Sequence, residues 1–447
     1  MTTHDYQIEN ATGRNVRLDF NDALMALATC NSGAVEPAAP IAGMLWLDTS
    51  VLPNGQVKQR NQSNTGWVPM VGVPTAATNA QVIAGTDDAA FVTPAGYTAK
   101  LDTIPDWQAF NHIVNGAMRI SQENDNNVIS LSTSGNYYAA DQWLVTLSSA
   151  SGATVTANRH AFSTPRGSSH RLRINVTVAK AVLAAGDYLS FWQPIEGLRV
   201  DTLGWGAAGA KRVIVRFGFR GPAGTYSVGV RTYTTPYRSY CVPFTISAAQ
   251  ANTDTEQTFS IPGDITGTWP ITTAGSIILW ITVAAGTTFL GASSVWQTGN
   301  YIGATGMSNG LATVNNEFNL FDVGFYVDER QSGVAPRWML PPFDEDLRDC
   351  QRYYVKDCRT MYSGSVTSGL VYYAAIGSLP VEMRISTPTI DATNVAASAF
   401  PTTAGTVALI ALPSSTGSPF KLRENRTANA TAQPAQFVSN CNISARM

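Results

Sequence analysis

The chain has 447 residues, 44% hydrophobic and only 13% charged, with a formal net charge of −2 and a pI near 6.1. That much apolar material can fill two to four domain cores, while the charge is about half that of an ordinary soluble domain, its place taken by Gly, Thr, Ser, Ala and Asn. No Lys/Arg run exists to neutralise a phosphate backbone, which excludes nucleic acid as a partner, and the longest apolar stretch, Ser276–Ala285, is about half a membrane span, which excludes insertion.

The first element is a helix within Arg17–Gly33. Phe20, Leu24, Leu27 and Ala28 fall at helical spacing, Asp19 or Asn21 can cap the start, and Asn31-Ser32-Gly33 supplies the stop. About three turns with one apolar face do not stand alone in water, so the stripe packs on a neighbouring chain or on the strands that follow. Those strands are Met44–Thr49, Gln56–Asn61 and Trp67–Val71. Turn signals at Pro53-Asn54-Gly55 and Asn64-Thr65-Gly66 make them a three-stranded meander.

The stretch Asn79–Tyr97 alternates small apolar residues with turn formers and runs into Thr93-Pro94. It cannot bury a core of its own and is expected to order only against identical copies. Pro94–Pro105 is a connector with a short helical piece at Ala95–Leu101.

From Asn111 to about Asp328 the pattern changes to short strands broken by Gly, Asn and Pro. In His170–Val178, Leu172, Ile174, Val176 and Val178 share one face, and Arg171, Arg173, Asn175 and Thr177 the other. This period of two marks a half-exposed antiparallel sheet. About ten such runs predict a jelly-roll-like β-sandwich: Trp143–Leu147, Ala153–Ala157, His170–Val178, Tyr188–Gln193, Arg212–Arg220, Gly224–Thr232, Cys241–Ile246, Gln257–Pro262, Ile277–Val283 and Phe318–Val327. A helix follows in Phe343–Lys356, acidic at its start and basic at its end, with Leu347, Cys350, Tyr353 and Tyr354 on one face. A last β-rich unit comprises Ser365–Ile376, Val381–Ser386, Thr406–Ala411 and Phe437–Ala445.

Several of these pieces carry a resemblance. "GRNVRLDFNDALMALATCNSG", "GMLWLDTS…GQVKQRN…NTGWVP" and "AGTDD…VTPAG" are similar, in that order, to the N-terminal region of bacteriophage tail fibre proteins. The run "NGAMRISQEN…YYAADQW…RLRINVTVA…DYLSFWQPIEG…VDTLGWG…VRFGFRGPAGTYSVGVR…FYVDE" resembles the carbohydrate-binding-like β-sandwich of phage tail proteins. "DL..CQRYY" and Leu379–Ile390 resemble the C-terminal tips of receptor-binding fibres.

The resemblance implies a mainly β, elongated homotrimeric fibre in four regions. Residues 1–74 attach to the virion, 75–110 form a fibre repeat and linker, 111–342 the sandwich and 343–447 the C-terminal tip. Residues 1–100 would dock on tail or baseplate proteins, and the distal part would bind a bacterial surface glycan or protein during adsorption. Met1–Tyr6 lacks the basic-then-apolar start of a signal peptide. The expected site is therefore the virion tail, after synthesis in the host cytoplasm and release by lysis. A non-adhesive collar, neck or baseplate fibre and a polysaccharide depolymerase tailspike are the alternatives.

No catalytic constellation stands out, and the chain is read as a non-enzyme without cofactor or metal. His160 and His170 flank a Ser/Thr-rich loop but lack a nucleophile turn, and His4 and His112 add no metal-ligand spacing. Asp187/Glu196 and Asp254/Glu256 are carboxylate pairs of a kind found in any β protein of this size. Gly204–Gly209 nearly spells a phosphate-cradling loop but has no βαβ context. Cys30, Cys241, Cys350, Cys358 and Cys441 are read as buried or free thiols, with Cys30 the candidate for a disulfide between chains. Recognition remains. Tyr137, Tyr138 and Trp269 lie in Gly/Ser/Thr/Asn loops, as do Trp192, Trp205, Tyr233, Tyr237, Tyr240, Trp296 and Tyr301. The last seven are the candidate glycan-contacting rings, a flat face for sugar C–H groups with polar neighbours for hydroxyls; the alternative for each is core packing.

Overall fold

The computed structural model describes residues 4, 7–8, 10–28, 30–51, 55–70, 76–85, 92–103, 110–149, 152–366, 371–376, 380–385, 389–391, 406–410, 421–425 and 433–447, with backbone alone for 101–103 and for most strand residues between 357 and 441. The chain divides into two compact units, Met1–Ile104 and Pro105–Met447.

In the first unit, helix α1 (Gly13–Ala28) starts earlier than either expected cap, so Asp19 lies inside it. Val16 N–H already bonds Thr12 C=O. The helix ends where Cys30 and Asn31 both adopt left-handed φ, near 53° and 52°. Leu18, Phe20, Leu24, Met25 and Leu27 are each about half exposed or more, and Ala26 alone is fully covered. The apolar stripe is thus not folded onto the strands that follow. Those strands, β1 (Leu45–Asp48), β2 (Gln56–Arg60) and β3 (Trp67–Pro69), form the expected meander, with Trp46 against Trp67 at 5.2 Å.

The fibre-repeat stretch departs from expectation. Its described residues form two helices: α2 (Asn79–Ala84), which is unexpected, and α3 (Pro94–Thr103), which contains the expected helical piece Ala95–Leu101. Thr78 and Gln81 make a reciprocal capping box, and Gly85 closes α2 in the left-handed conformation. Thr-x-x-Gln is a legible start signal that the turn-rich composition obscures. Lys100 Nζ bonds Ile83 C=O at 2.6 Å and ties the pair.

The second unit is a sandwich of two antiparallel sheets. Its strands are β4 (Ile129–Leu131), β5 (Gly135–Ala140), β6 (Trp143–Ser148), β7 (Thr154–His160), β8 (Arg171–Val178) and β9 (Tyr188–Glu196). After the single turn α4 (Gly197–Val200) come β10 (Val213–Arg220), β11 (Gly224–Thr232), β12 (Arg238–Ile246), β13 (Thr255–Ile261) and β14 (Gly275–Ala285). The short β15 (Leu290–Gly291), β16 (Gln297–Thr298) and β17 (Gly303–Ala304) precede the long β18 (Glu317–Val327). One sheet runs β13-β10-β18-β8-β7-β4 and the other β16-β12-β11-β14-β9-β6-β5. All ten expected strands are present; β4, β5 and the short β15, β16 and β17 are additional to them. Leu172, Ile174 and Val176 face Leu189, Phe191, Leu279 and Ile281 in one continuous core that also takes Phe217, Phe219, Phe318 and Phe325.

Strand β14 is buried along its whole length and its partners β9 and β11 nearly so; the expected half-exposed alternation survives in parts of β8 and β13. Residues 286–305 fold back over its outer face. Ile302 C=O accepts from Thr282 Oγ1 at 2.8 Å, and Ala304 N–H bonds Ser227 Oγ at 3.1 Å.

Helix α5 (Phe343–Gln351) buries Cys350, followed by Tyr353, against Val114 and Ile120. Beyond it β19 (Tyr354–Val366), β20 (Val371–Ile376), β21 (Thr389–Asp391), β22 (Thr406–Ile410), β23 (Lys421–Asn425) and β24 (Gln433–Ser444) form a sheet in the order β21-β24-β19-β20-β23-β22. The expected strand Val381–Ser386 is irregular over its described residues, 381–385, and the pairing falls instead on β21. Among the described residues no helix is long and apolar enough to cross a membrane.

Candidate functional site

Alternation fixes which rings leave the core. In β9, Leu189 and Phe191 point inward, so Ser190 and Trp192 point out. In β14, Leu279 and Ile281 point inward and Trp280 points out. The register sets Trp280 directly opposite Trp192, and the two indoles stack at 4.9 Å with 20° between planes. Tyr188 stands edge-on to Trp280 at 6.1 Å and to Phe289 at 4.9 Å. Tyr233 joins this cluster together with Ile278 and Ile302.

Arg231 of β11 lies over Tyr237 at 4.3 Å and over Trp280 at 5.3 Å, and it donates to Asn300 Oδ1. The Trp192 indole N–H donates to Thr146 Oγ1 at 2.7 Å, and that hydroxyl donates to Asn136 Oδ1 at 2.6 Å. Burial pushes the Tyr188 phenol up and the Arg231 guanidinium down. The outcome is an aromatic face on the seven-stranded sheet in which Trp280 is buried at 5% exposure and backs the half-buried Trp192, Tyr188, Tyr233 and Tyr237, edged by an amide, a guanidinium and hydroxyls. It can take an apolar sugar face and bond its hydroxyls.

Of the seven expected rings, Trp192, Tyr233 and Tyr237 belong to this face. Tyr301 lies in the overlying segment, packed on Gly291 and Gly299. Trp205, Tyr240 and Trp296 are a correction, because they turn inward and close one end of the sandwich core. Trp205 meets Trp269 at 4.8 Å and Trp296 at 5.4 Å, and Tyr240 meets Trp296 at 5.3 Å. Each indole N–H finds a backbone carbonyl: Lys211 for Trp205, Thr266 for Trp269 and Pro262 for Trp296. With edges bonded and faces covered, these rings serve the core. Tyr137 is buried with its hydroxyl on Asn127 C=O, and Tyr138 carries the Arg446 guanidinium at 3.8 Å.

Trp280, Tyr188, Phe289, Arg231 and Asn300 are not singled out by the sequence. Trp280 sits in the unbroken apolar run Ile277–Val283, which hides its outward direction.

The carboxylates considered for catalysis are each held by cations. Asp187 pairs with Lys180 at 2.6 Å, Glu196 with Arg352 at 2.6 Å, Asp254 with Arg171 at 2.8 Å and Glu256 with Arg216 at 2.6 Å. His170 Nδ1 contacts the neighbouring Ser169 hydroxyl at 2.8 Å. Among the described residues no cluster of His, Cys, Asp and Glu could hold a metal ion, and Cys30, Cys241 and Cys350 are free thiols, Cys30 exposed.

No protein-family model and no curated protein matches the chain. Among solved structures it is similar to the enzymatically active domain of tailspike protein 4 of bacteriophage CBA120 (TM-score 0.26, 11% identity). That likeness covers 48% of this chain and 21% of the tailspike chain, about a fifth of its length. It is also similar to a family 4 carbohydrate-binding module (TM-score 0.23, 12% identity, 48% of this chain and 97% of that one). A family 11 carbohydrate-binding module of a Clostridium thermocellum cellulase gives TM-score 0.24 and 11% identity over 44% of this chain and 96% of that one. Similarities of this size carry no functional argument.

Proposed function

We propose that the chain is a bacteriophage tail fibre, a homotrimeric and non-catalytic virion protein that binds a bacterial surface glycan during adsorption. The observation that carries the glycan reading is the stacked Trp192–Trp280 pair with Tyr188, Tyr233 and Tyr237 beside Arg231 and Asn300. The fibre reading rests on the order of tail-fibre-like pieces in residues 1–100, the region that would dock on tail or baseplate proteins. Self-association is supported by α1, on which Leu18, Phe20, Leu24 and Leu27 are each about half exposed or more. Exposed Cys30 lies two residues beyond that helix, placed for a link between copies.

The test is an array of purified bacterial surface polysaccharides probed with the full chain and with Trp192→Ala. Binding reduced at least about tenfold, or 1.4 kcal/mol, with an unchanged melting temperature is the expected result. Equal binding by both proteins refutes the site, no binding to any polysaccharide refutes the adhesin, and new reducing ends indicate a depolymerase. Light scattering of the same sample is expected near three times 47.7 kDa; a monomer at micromolar concentration refutes the fibre.

A further inference from the structure

The opposite sheet carries a second, chemically different concavity. Arg216 and Gly218 of β10, Glu256 of β13 and the Phe321–Asp322 step of β18 share its outer face. The loop Pro165–Gly167 and the segment Arg337–Trp338 wall it into a cavity of about 590 Å³. A register shift between Arg216 and Gly218 marks a bulge in the β10–β18 pairing, and Asp322 adopts a left-handed φ near 51° there. Phe321 lies flat over Gly218, where a Cβ would come within 2.0 Å of the ring.

Three buried polar atoms in residues lining this cavity find no hydrogen-bond partner among the described residues: Arg216 Nε, Asp322 Oδ2 and Trp338 Nε1. Asp322 and Arg216 are each only 2% exposed. A buried donor or acceptor left alone costs about 1–3 kcal/mol. These three belong to side chains that line one concavity, and, closed to water as they stand, they are satisfied when the side chains turn toward an occupant that offers both donors and acceptors.

The charges specify the occupant further. Asp254 is taken bidentately by Arg171 at 2.8 and 3.1 Å. Glu256 is shared between Arg166 and Arg216, at 2.8 and 2.6 Å. Exposed Arg337 makes no ion pair or side-chain hydrogen bond among the described residues. Asp322 accepts from Ser168 Oγ, and burial pushes its carboxyl up, toward the neutral form. Apart from the Arg171–Asp254 pair, three guanidinium groups, Arg166, Arg216 and Arg337, therefore stand with two carboxylates, Glu256 and Asp322, leaving an excess of positive charge beside unpaired groups of both kinds.

We propose that this cavity binds one carboxylate-bearing sugar residue, its carboxylate held by Arg337 and Arg166 and its hydroxyls by Asp322 Oδ2, Arg216 Nε and Trp338 Nε1. A fork of guanidinium N–H groups matches a carboxylate. Inorganic phosphate satisfies the arginines but brings additional charge against Glu256 and Asp322, whereas sugar hydroxyls both donate and accept. This inference rests on the glycan reading only in choosing a sugar; it places a subsite on the sheet opposite Trp192.

Isothermal titration of the full chain with glucuronic acid, galacturonic acid, N-acetylneuraminic acid, glucose and inorganic phosphate tests it. At least one acidic sugar is expected to bind at least tenfold more tightly than glucose and phosphate, and Arg337→Gln, on an exposed side chain, to weaken it at least fivefold without changing the melting temperature. Phosphate binding as tightly as the best acidic sugar reduces the cavity to a plain anion site. Equal binding of glucose, no binding of any of the three acidic sugars, or indifference to Arg337→Gln overturns the proposal. If acidic sugars fail here while Trp192→Ala abolishes polysaccharide binding, the adhesin reading stands and the subsite falls. If acidic sugars bind while no polysaccharide is retained, the subsite stands and the adhesin falls.

Discussion

Glu196 is where the second unit can be unlatched. At the end of β9 it is 1% exposed, yet it accepts from Arg352 Nε at 2.9 Å, Arg352 Nη2 at 2.6 Å and the Tyr353 hydroxyl at 2.8 Å. These bonds join the sandwich to the residues that follow α5. Glu196→Ala removes three charge-assisted bonds and leaves the buried Tyr353 hydroxyl without an acceptor, while Arg352, about a quarter exposed, turns to water. Hydrogen bonds to a charged group contribute about 1.5–3 kcal/mol each, and an orphaned buried hydroxyl costs about 1–3 kcal/mol. With part of the arginine's loss recovered from solvent, the expected destabilisation is ~3–5 kcal/mol. Tyr353→Phe, which removes one bond and orphans nothing, is expected to cost ~1.5–3 kcal/mol. The double variant should fall short of the sum, because both changes break the same bond. Urea unfolding of the full chain followed by tryptophan fluorescence, alongside proteolysis for early cleavage near residue 352, measures this. Glu196→Ala within about 1 kcal/mol of the parent, with no earlier cleavage, would show that the latch is ornamental.

Two further predictions concern other sites. Burial among Phe110 and Phe325 depresses the His112 pKa from 6.5 to about 4. Below about pH 6.5 the unfolded chain takes up a proton that the folded chain refuses, so stability falls as pH drops to about 4 and this contribution then levels off, a loss of about 3 kcal/mol. His112→Asn should flatten that segment of the stability–pH curve by about one proton; unchanged slopes contradict the assignment. Gly218→Ala drives a methyl into the Phe321 ring and is expected to cost about 1–3 kcal/mol, with a melting point lowered by several degrees. A melting point equal to the parent's would show that the ring moves freely. It would then not form a fixed cavity floor.

What the sequence disclosed and what it withheld divide along a physical line. Period-two alternation in runs such as Arg171–Val178 reports a local property, side-chain direction along a strand, and the sandwich strands are legible from it. Direction at a sandwich end is not local. Trp205 and Trp296 sit among glycines, serines and threonines like any loop residue, but the two sheets leave a mouth there that only large rings fill. Tyr240, by contrast, alternates with Val242, Phe244 and Ile246 along β12, and its inward direction is legible. Trp280 is hidden in the opposite sense. Its neighbours are all apolar because β14 is covered on both faces, so the alternation that would have pointed it outward is masked. The cavity of Arg216 and Asp322 draws on β10, β13, β18, a loop and a distant segment, and no spacing rule connects residues 166, 216, 256, 322 and 337.

The strip that folds over β14 has a consequence for how such a surface diversifies. It is pinned at Gly286 by a main-chain bond to Asp187 and at Ala304 by a bond to Ser227 Oγ, while Ala292, Ser293, Ser294 and Val295 between them stand open to solvent. Replacements there alter the exposed edge along β12, where Ser294 N–H bonds Cys241 C=O, without entering the interior that holds the sheets together. Sequence can therefore vary there over an unchanging scaffold, as a key's teeth are recut without altering its shaft.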